Sequence, residues 1–164
     1  MRTTMNEDGS TLVEMAVSFS VFVAVLLGVM QMSMALYSYH FVSDAAREAS
    51  RWAMVRGSAC ASSISTSFCS PTSSATTGAT NADIQTYVNS LGYPFSGSLT
   101  TSTTWCVASS STPTTWTSCG TTSAYKTAGS QVQVTVSYSF PIAIPFWKNT
   151  TIPVSSTSSM VLSE

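Results

Sequence analysis

The sequence predicts an α+β protein: one long N-terminal membrane-spanning helix, then a small disulfide-stabilised head with a short helix and antiparallel strands. Three observations lead there. No residue between Glu14 and His40 carries a charge at neutral pH. The remainder is polar without being charged, because Ser and Thr make up about a third of the chain while Asp, Glu, Lys and Arg make up only 8 %, against about 25 % in an average protein. Finally, Gln131 to Phe140 alternates strictly between apolar and polar residues, and four cysteines all follow the apolar run.

The apolar run, Met15 to about Tyr39, is the first element. A spanning helix needs about 20 mostly apolar residues, so this run is long enough to cross with some tilt. A buried core helix rarely sustains such a length. A secretory signal peptide would want a more basic start and a shorter apolar core. Tyr37 and Tyr39 close the run, where aromatic rings favour the headgroup zone.

Beyond it the pattern turns amphipathic. Ala45, Ala46, Ala49, Trp52, Ala53 and Val55 alternate with Asp44, Arg47, Glu48, Arg51 and Arg56. Asp44 and Arg47, and Glu48 and Arg51, stand at i, i+3 and are expected to pair, each pair contributing about 0.2–0.5 kcal/mol. Gly57 is the expected stop, through the left-handed conformation glycine tolerates. The spacing predicts one continuous helix from about Ser10 to Arg56, with the membrane part near 15–39 and a lollipop outline for the whole. Lys and Arg counts near the run favour a cytoplasmic C-terminal side. The cysteines and the Ser/Thr-rich composition favour the opposite, and with Asp44 and Glu48 beside the three arginines the head is placed outside.

Within the run Ala16, Ser20, Ala24 and Gly28 recur every fourth residue. Such ridges let helices approach closely in lipid, although small residues are also ordinary in membrane helices. Glu14 stands at the edge of the run, and an ionised carboxylate near a membrane centre costs about 2.5–3.5 kcal/mol or more. Cleavage between Gly9 and Ser10 would create an α-amino group as its counter-ion, on the same or a neighbouring helix. The alternative is that Glu14 only marks the membrane interface.

Residues 58–80 are almost entirely Ser, Thr, Ala, Gly, Cys and Pro and read as linker. A short helix follows, capped near Thr80 or Asn81, with Ile84, Tyr87, Val88 and Leu91 on one face and Gly92 at its end. Strands are expected at Leu99–Val107 and Gln131–Phe140, the second burying Val132, Val134, Val136, Tyr138 and Phe140 and stopped by Pro141 and Pro145. Ile152–Leu162 alternates again.

Cys60, Cys69, Cys106 and Cys119 point to disulfides in a head with a thin core. Three pairings are possible, and Cys60–Cys69 with Cys106–Cys119 is favoured because each closes a local loop. No C-x-x-C or histidine partner supports zinc, so no metal and no cofactor are expected. The near-neutral charge excludes nucleic-acid binding by a basic face. His40 is the only histidine and lies at the membrane edge, and after Gly57 the only acids are Asp83 and Glu164. That inventory does not describe an enzyme.

Gly9 followed by Glu14 at the fifth position after the cut, opening a hydrophobic helix, resembles the processing site of type IV prepilins and pseudopilins. Tyr39 to Ala53, reading YHFVSDAAREASRWA, is similar to the stretch after the anchor in TadE-like proteins, minor pilin-like subunits of tight-adherence pili. Gln131–Phe140 and the terminal Met160–Glu164 fit the same pattern more loosely. The resemblance implies a leader at residues 1–9 removed by a prepilin peptidase between Gly9 and Ser10, a helix at 10–57 and an extracytoplasmic head at 58–164. It implies docking through Glu14, a bacterial inner-membrane location and, as partners, other pilin or pseudopilin subunits, the pilus assembly machinery and membrane lipid. The alternative is a stand-alone single-pass surface binding protein that keeps its N terminus.

Overall fold

The computed structural model describes residues 7–57, 78–92, 99–108, 116–127, 129–142 and 150–162. The chain is α+β, with α1 at Glu7–Arg56, α2 at Asn81–Ser90, and strands β1 Thr100–Ala108, β2 Trp116–Gly120, β3 Gln131–Ile142 and β4 Thr150–Val161. A 3-10 turn at Ser123–Tyr125 sits between β2 and β3. Two compact units divide it, one of Met1–Tyr37 with Phe140–Ile152, the other of Ser38–Ser139 with Pro153–Glu164.

In the second unit the sheet runs in the order β2-β1-β3-β4. β1 is antiparallel to both neighbours, with Thr100 opposite Ser137 and Cys106 opposite Cys119. The register of β3 on β4 follows from two contacts. The Leu162 amide donates to the Ser130 carbonyl, and the Thr135 and Thr157 hydroxyls meet at 2.8 Å. Moving five residues on along one strand and five back along the other is an antiparallel pairing without a bulge.

The alternation of β3 does what period-two patterning requires: Val132, Val134 and Val136 are fully buried and Tyr138 nearly so. Each such valine contributes about 1.5 kcal/mol or more relative to exposure. Facing them is a narrow stripe of α1, Val42, Ala45, Ala46, Ala49 and Ala53, whose small side chains let the helix lie close to the sheet. Ser50, fully buried on the same stripe, is satisfied by the Ser158 hydroxyl at 2.9 Å and the Arg47 carbonyl at 2.8 Å. Trp52 and Val55, expected on the apolar face, lie off it. Val55 is 51 % exposed. Trp52 stacks on Tyr87 of α2 at 5.3 Å between ring centroids, with the Arg56 guanidinium 4.6 Å from its ring. The expected ion pairs are present at 3.6 Å (Arg47 to Asp44) and 4.0 Å (Arg51 to Glu48).

Two stop signals act differently from expectation. Gly57 does end α1, but not by a positive φ. A Cβ there would meet the Trp105 ring at 2.6 Å and Leu162 at 2.8 Å, so the position is glycine because the sheet comes too close. Pro141 does not end β3, which continues to Ile142. Because Ser130 faces β4, alternate residues from Gln131 to Pro141 turn their amide positions toward the β1 side. β1 ends opposite Ser137, so among the described residues the missing N–H has no ladder partner to lose.

The chain returns to the end of α1 at Gly78. The Ala79 amide donates to the Arg56 carbonyl at 3.0 Å, satisfying one of the last-turn acceptors that a helix leaves open. Thr80 then caps α2 in a reciprocal box with Asp83, and Gly92, at φ +73, follows its end as expected. The Ala79–Thr80 peptide group is held from both sides: Lys126 Nζ donates to its carbonyl at 2.6 Å, and its amide donates to Asp83 Oδ2 at 2.9 Å. Charge-assisted bonds of this kind are the stronger ones. Lys126 also lies 5.2 Å from the Trp105 ring centroid. Burial lowers its pKa below the ordinary lysine value, while the Asp83 carboxylate works in the opposite direction.

Cys106 and Cys119 form a disulfide between β1 and β2, 13 residues apart in sequence. Cys60 and Cys69 lie outside the described residues. Closing a loop of this size stabilises by about 3 kcal/mol in the chain-entropy account. Replacing both Cys106 and Cys119 by Ser should therefore lower the unfolding free energy by about that amount, read by urea unfolding of the full chain in detergent. A smaller opposite effect is expected on β1. The Thr103 hydroxyl is buried and without a hydrogen-bond partner among the described residues. Thr103→Val keeps the shape and removes the orphan, so it should raise stability by about 1 kcal/mol in the same assay.

Candidate membrane and docking helix

Apart from Glu14, α1 from Leu12 to Tyr37 is unlike the helix that follows. It is apolar on all sides, and its large side chains face outward: Leu12, Met15 and Phe19 are 72 %, 73 % and 66 % exposed, and Phe22, Val25, Val29 and Met32 are also exposed. A helix apolar all round belongs in a larger core or in lipid, and an exposed apolar surface of this extent marks an interaction. Among the described residues it is the one helix long and apolar enough to cross a membrane.

Two of its hydroxyls are satisfied within the helix. Ser20 Oγ donates to the Val17 carbonyl at 2.7 Å and Ser33 Oγ to the Val29 carbonyl at 2.9 Å. In hydrocarbon each polar group needs an internal partner, and these two have theirs in their own helix. At the far end Tyr39 is exposed and meets the His40 ring edge-on at 6.1 Å.

The residues singled out from the sequence all lie on this helix. Gly9 and Ser10 are exposed and helical, because α1 starts at Glu7 rather than near Ser10. Glu14 is exposed and has no ion-pair partner among the described residues. It stands four residues from Ser10, one turn along the same face. Ala16, Ser20 and Ala24 are exposed and Gly28 is half-exposed. A row spaced by four runs obliquely along a helix, the ridge that interlocks with a like ridge on a second helix. A Cβ added to Gly28 would meet nothing within 4 Å. Glycine costs about 1 kcal/mol relative to alanine inside a helix, and packing within the described chain gives no reason to accept that cost.

Residues 9–51 match the family model for TadE-like protein. The segment is TadE-like. The match covers the apolar run, the charge-paired stretch and the positions of Gly9, Ser10 and Glu14, and it stops short of the sheet. The TadE-like family implies involvement in the tight-adherence pilus, with other pilus subunits as partners and the apolar helix as a membrane anchor. Comparison with curated proteins and with solved structures gives no match.

Two features of the head were not read from the sequence. One is the Lys126–Asp83 clamp, whose members are 43 residues apart and hold the same Ala79–Thr80 peptide group. The other is β2, five residues without an alternating pattern. Asp83 and Lys126 are two of only four charged residues after Gly57, and isolated charges in an uncharged region tend to be buried with partners.

Proposed function

We propose that this chain is a structural subunit or assembly factor of a tight-adherence pilus, cut by a prepilin peptidase after Gly9 and packed into its assembly through α1. The observation that carries the reading is the exposed apolar helix with a single carboxylate, Glu14, one turn from Ser10. After cleavage the Ser10 α-ammonium lies at the positive end of the helix dipole, where a cation is disfavoured. It gains most from a carboxylate, and Glu14 of an adjoining helix supplies one in a medium where an unpaired charge is costly. The ridge from Ala16 to Gly28 sets how closely the helices approach. The openness of Gly28 supports this, since the partner that needs a glycine there is another molecule.

On this reading the head lies outside the bacterial inner membrane. Protease added to spheroplasts should degrade the head and leave a membrane-embedded α1 fragment. A head that resists until the membrane is permeabilised would place it inside and overturn the orientation. A stand-alone surface protein would show the same digestion pattern but would not depend on Glu14.

A further inference from the structure

We infer that the outer edge of β4 pairs with β2 of a second copy of this chain, joining adjacent heads into one continuous antiparallel sheet. The inference rests on the pilus reading for the side-by-side placement of copies, and on the sheet alone for the contact. β2 and β4 are the two edges of the sheet. The Leu162 amide donates to the carbonyl of Ser130, the residue just before β3, so by strand alternation residues 154, 156, 158 and 160 also turn their backbone groups toward β3. Ser155, Thr157, Ser159 and Val161 turn theirs outward, to the side on which β4 has no neighbouring strand. Pro153 falls in the same outward set, which explains how β4 contains a proline without losing a bond to β3.

An open edge of this kind is a template for another strand, and proteins normally blunt it with charges, bulges or proline. β4 after Pro153 has none of these, and neither β2 nor β4 contains an ionisable residue. The choice of partner follows from topology. Four antiparallel strands give edges of opposite direction. Two copies whose α1 helices run the same way therefore present β4 of one and β2 of the next antiparallel to each other, the pairing a sheet forms most readily. Pairing β4 with β4 of a second copy in an antiparallel sense would turn the two α1 helices opposite ways, which one membrane does not permit. A β4-to-β2 contact joins unlike surfaces, and such contacts propagate into rings or filaments. Each contact is short, and it gains effect because helices already gathered in one layer raise the local concentration.

The test uses the full chain in isolated membranes, with Ser155→Cys on β4 and Ser118→Cys on β2 in the same polypeptide, both positions being exposed. A short bismaleimide should give a ladder of dimers, trimers and higher species about tenfold stronger than with either single variant. Ser159→Pro, added to the pair, removes an outward N–H and no bond to β3, and should reduce the ladder about tenfold at an unchanged melting temperature. Should proline lower the melting temperature, Ser159→Lys replaces it as an edge charge. A ladder equally strong in a single variant, or no ladder in any fraction, or one indifferent to both Ser159 variants, overturns the pairing. Sedimentation with the membrane is scored separately: a chain that pellets but forms no ladder fails here and leaves the anchor reading intact.

Discussion

Glu14→Ala should leave the protein in the membrane fraction and reduce its incorporation into assembled pili by on the order of 100-fold. The two halves of that result have opposite physical origins. Removing the carboxylate relieves a charge that costs about 2.5–3.5 kcal/mol or more near a bilayer centre, so insertion is if anything easier. Docking loses an ion pair formed away from water, and leaving one member of such a pair alone costs about 3–5 kcal/mol. Glu14→Gln should behave like Glu14→Ala, because an amide keeps the shape but not the charge. Quantifying each variant in sheared pili and in membranes separates the two steps. Incorporation of the alanine variant at the level of the unmodified chain would mean that Glu14 marks the membrane interface and docks nothing.

Gly78→Ala should be the most damaging single change in the head, lowering stability by about 3 kcal/mol or more. Two costs add at this position. Gly78 has φ +62, a conformation that L side chains rarely adopt, and forcing alanine into it costs about 1–2 kcal/mol. The new methyl would also press on the Gly57 carbonyl, which is backbone and has no rotamer to give way. Gly129→Ala is the internal control. Its φ is +80, yet a Cβ there meets nothing within 4 Å, so it should cost only the conformational part, about 1 kcal/mol. Urea unfolding of both variants in detergent compares them directly. Equal losses would mean that the approach of Gly57 and Gly78 does not hold the end of α1 to the start of α2.

Gly57, Gly92 and Gly78 differ in how much of their role the sequence reveals. Gly57 and Gly92 were legible as stops, because a helical pattern breaks off in front of each. Only the fold shows that Gly57 is needed for the nearness of Trp105 while Gly92 is needed for its φ. Gly78 gave no signal, since its constraint comes from a backbone 21 residues earlier. Periodic elements were legible for the same local reason: α1 through its uncharged run and charge pairs, α2 through a cap near Thr80 or Asn81 and the spacing of Ile84, Tyr87, Val88 and Leu91, β3 through its valines. β2 was not, because Trp-Thr-Ser-Cys-Gly has no period and is held by β1 and by the Cys106–Cys119 bond. Pro141 misled because a proline blocks a strand only where its amide has a partner to lose.

The N-terminal helix was more legible than the head, because its properties are those of a linear sequence: length, lack of charge, and the spacing of Gly9, Ser10 and Glu14. What the fold adds is that these residues are exposed, that the serines at 20 and 33 satisfy themselves, and that Gly28 has no neighbour in the described chain.

The central claim is that Gly9 and Ser10 are a cut site that frees an amine for Glu14. Intact mass of the membrane-fraction protein, from cells with and without the prepilin peptidase, tests it directly. The account predicts a chain beginning at Ser10 only where the peptidase is present, and the full-length chain where it is absent. A chain beginning at Met1 in both would contradict it, leaving Gly9 an ordinary helical residue and Glu14 without an amine to meet.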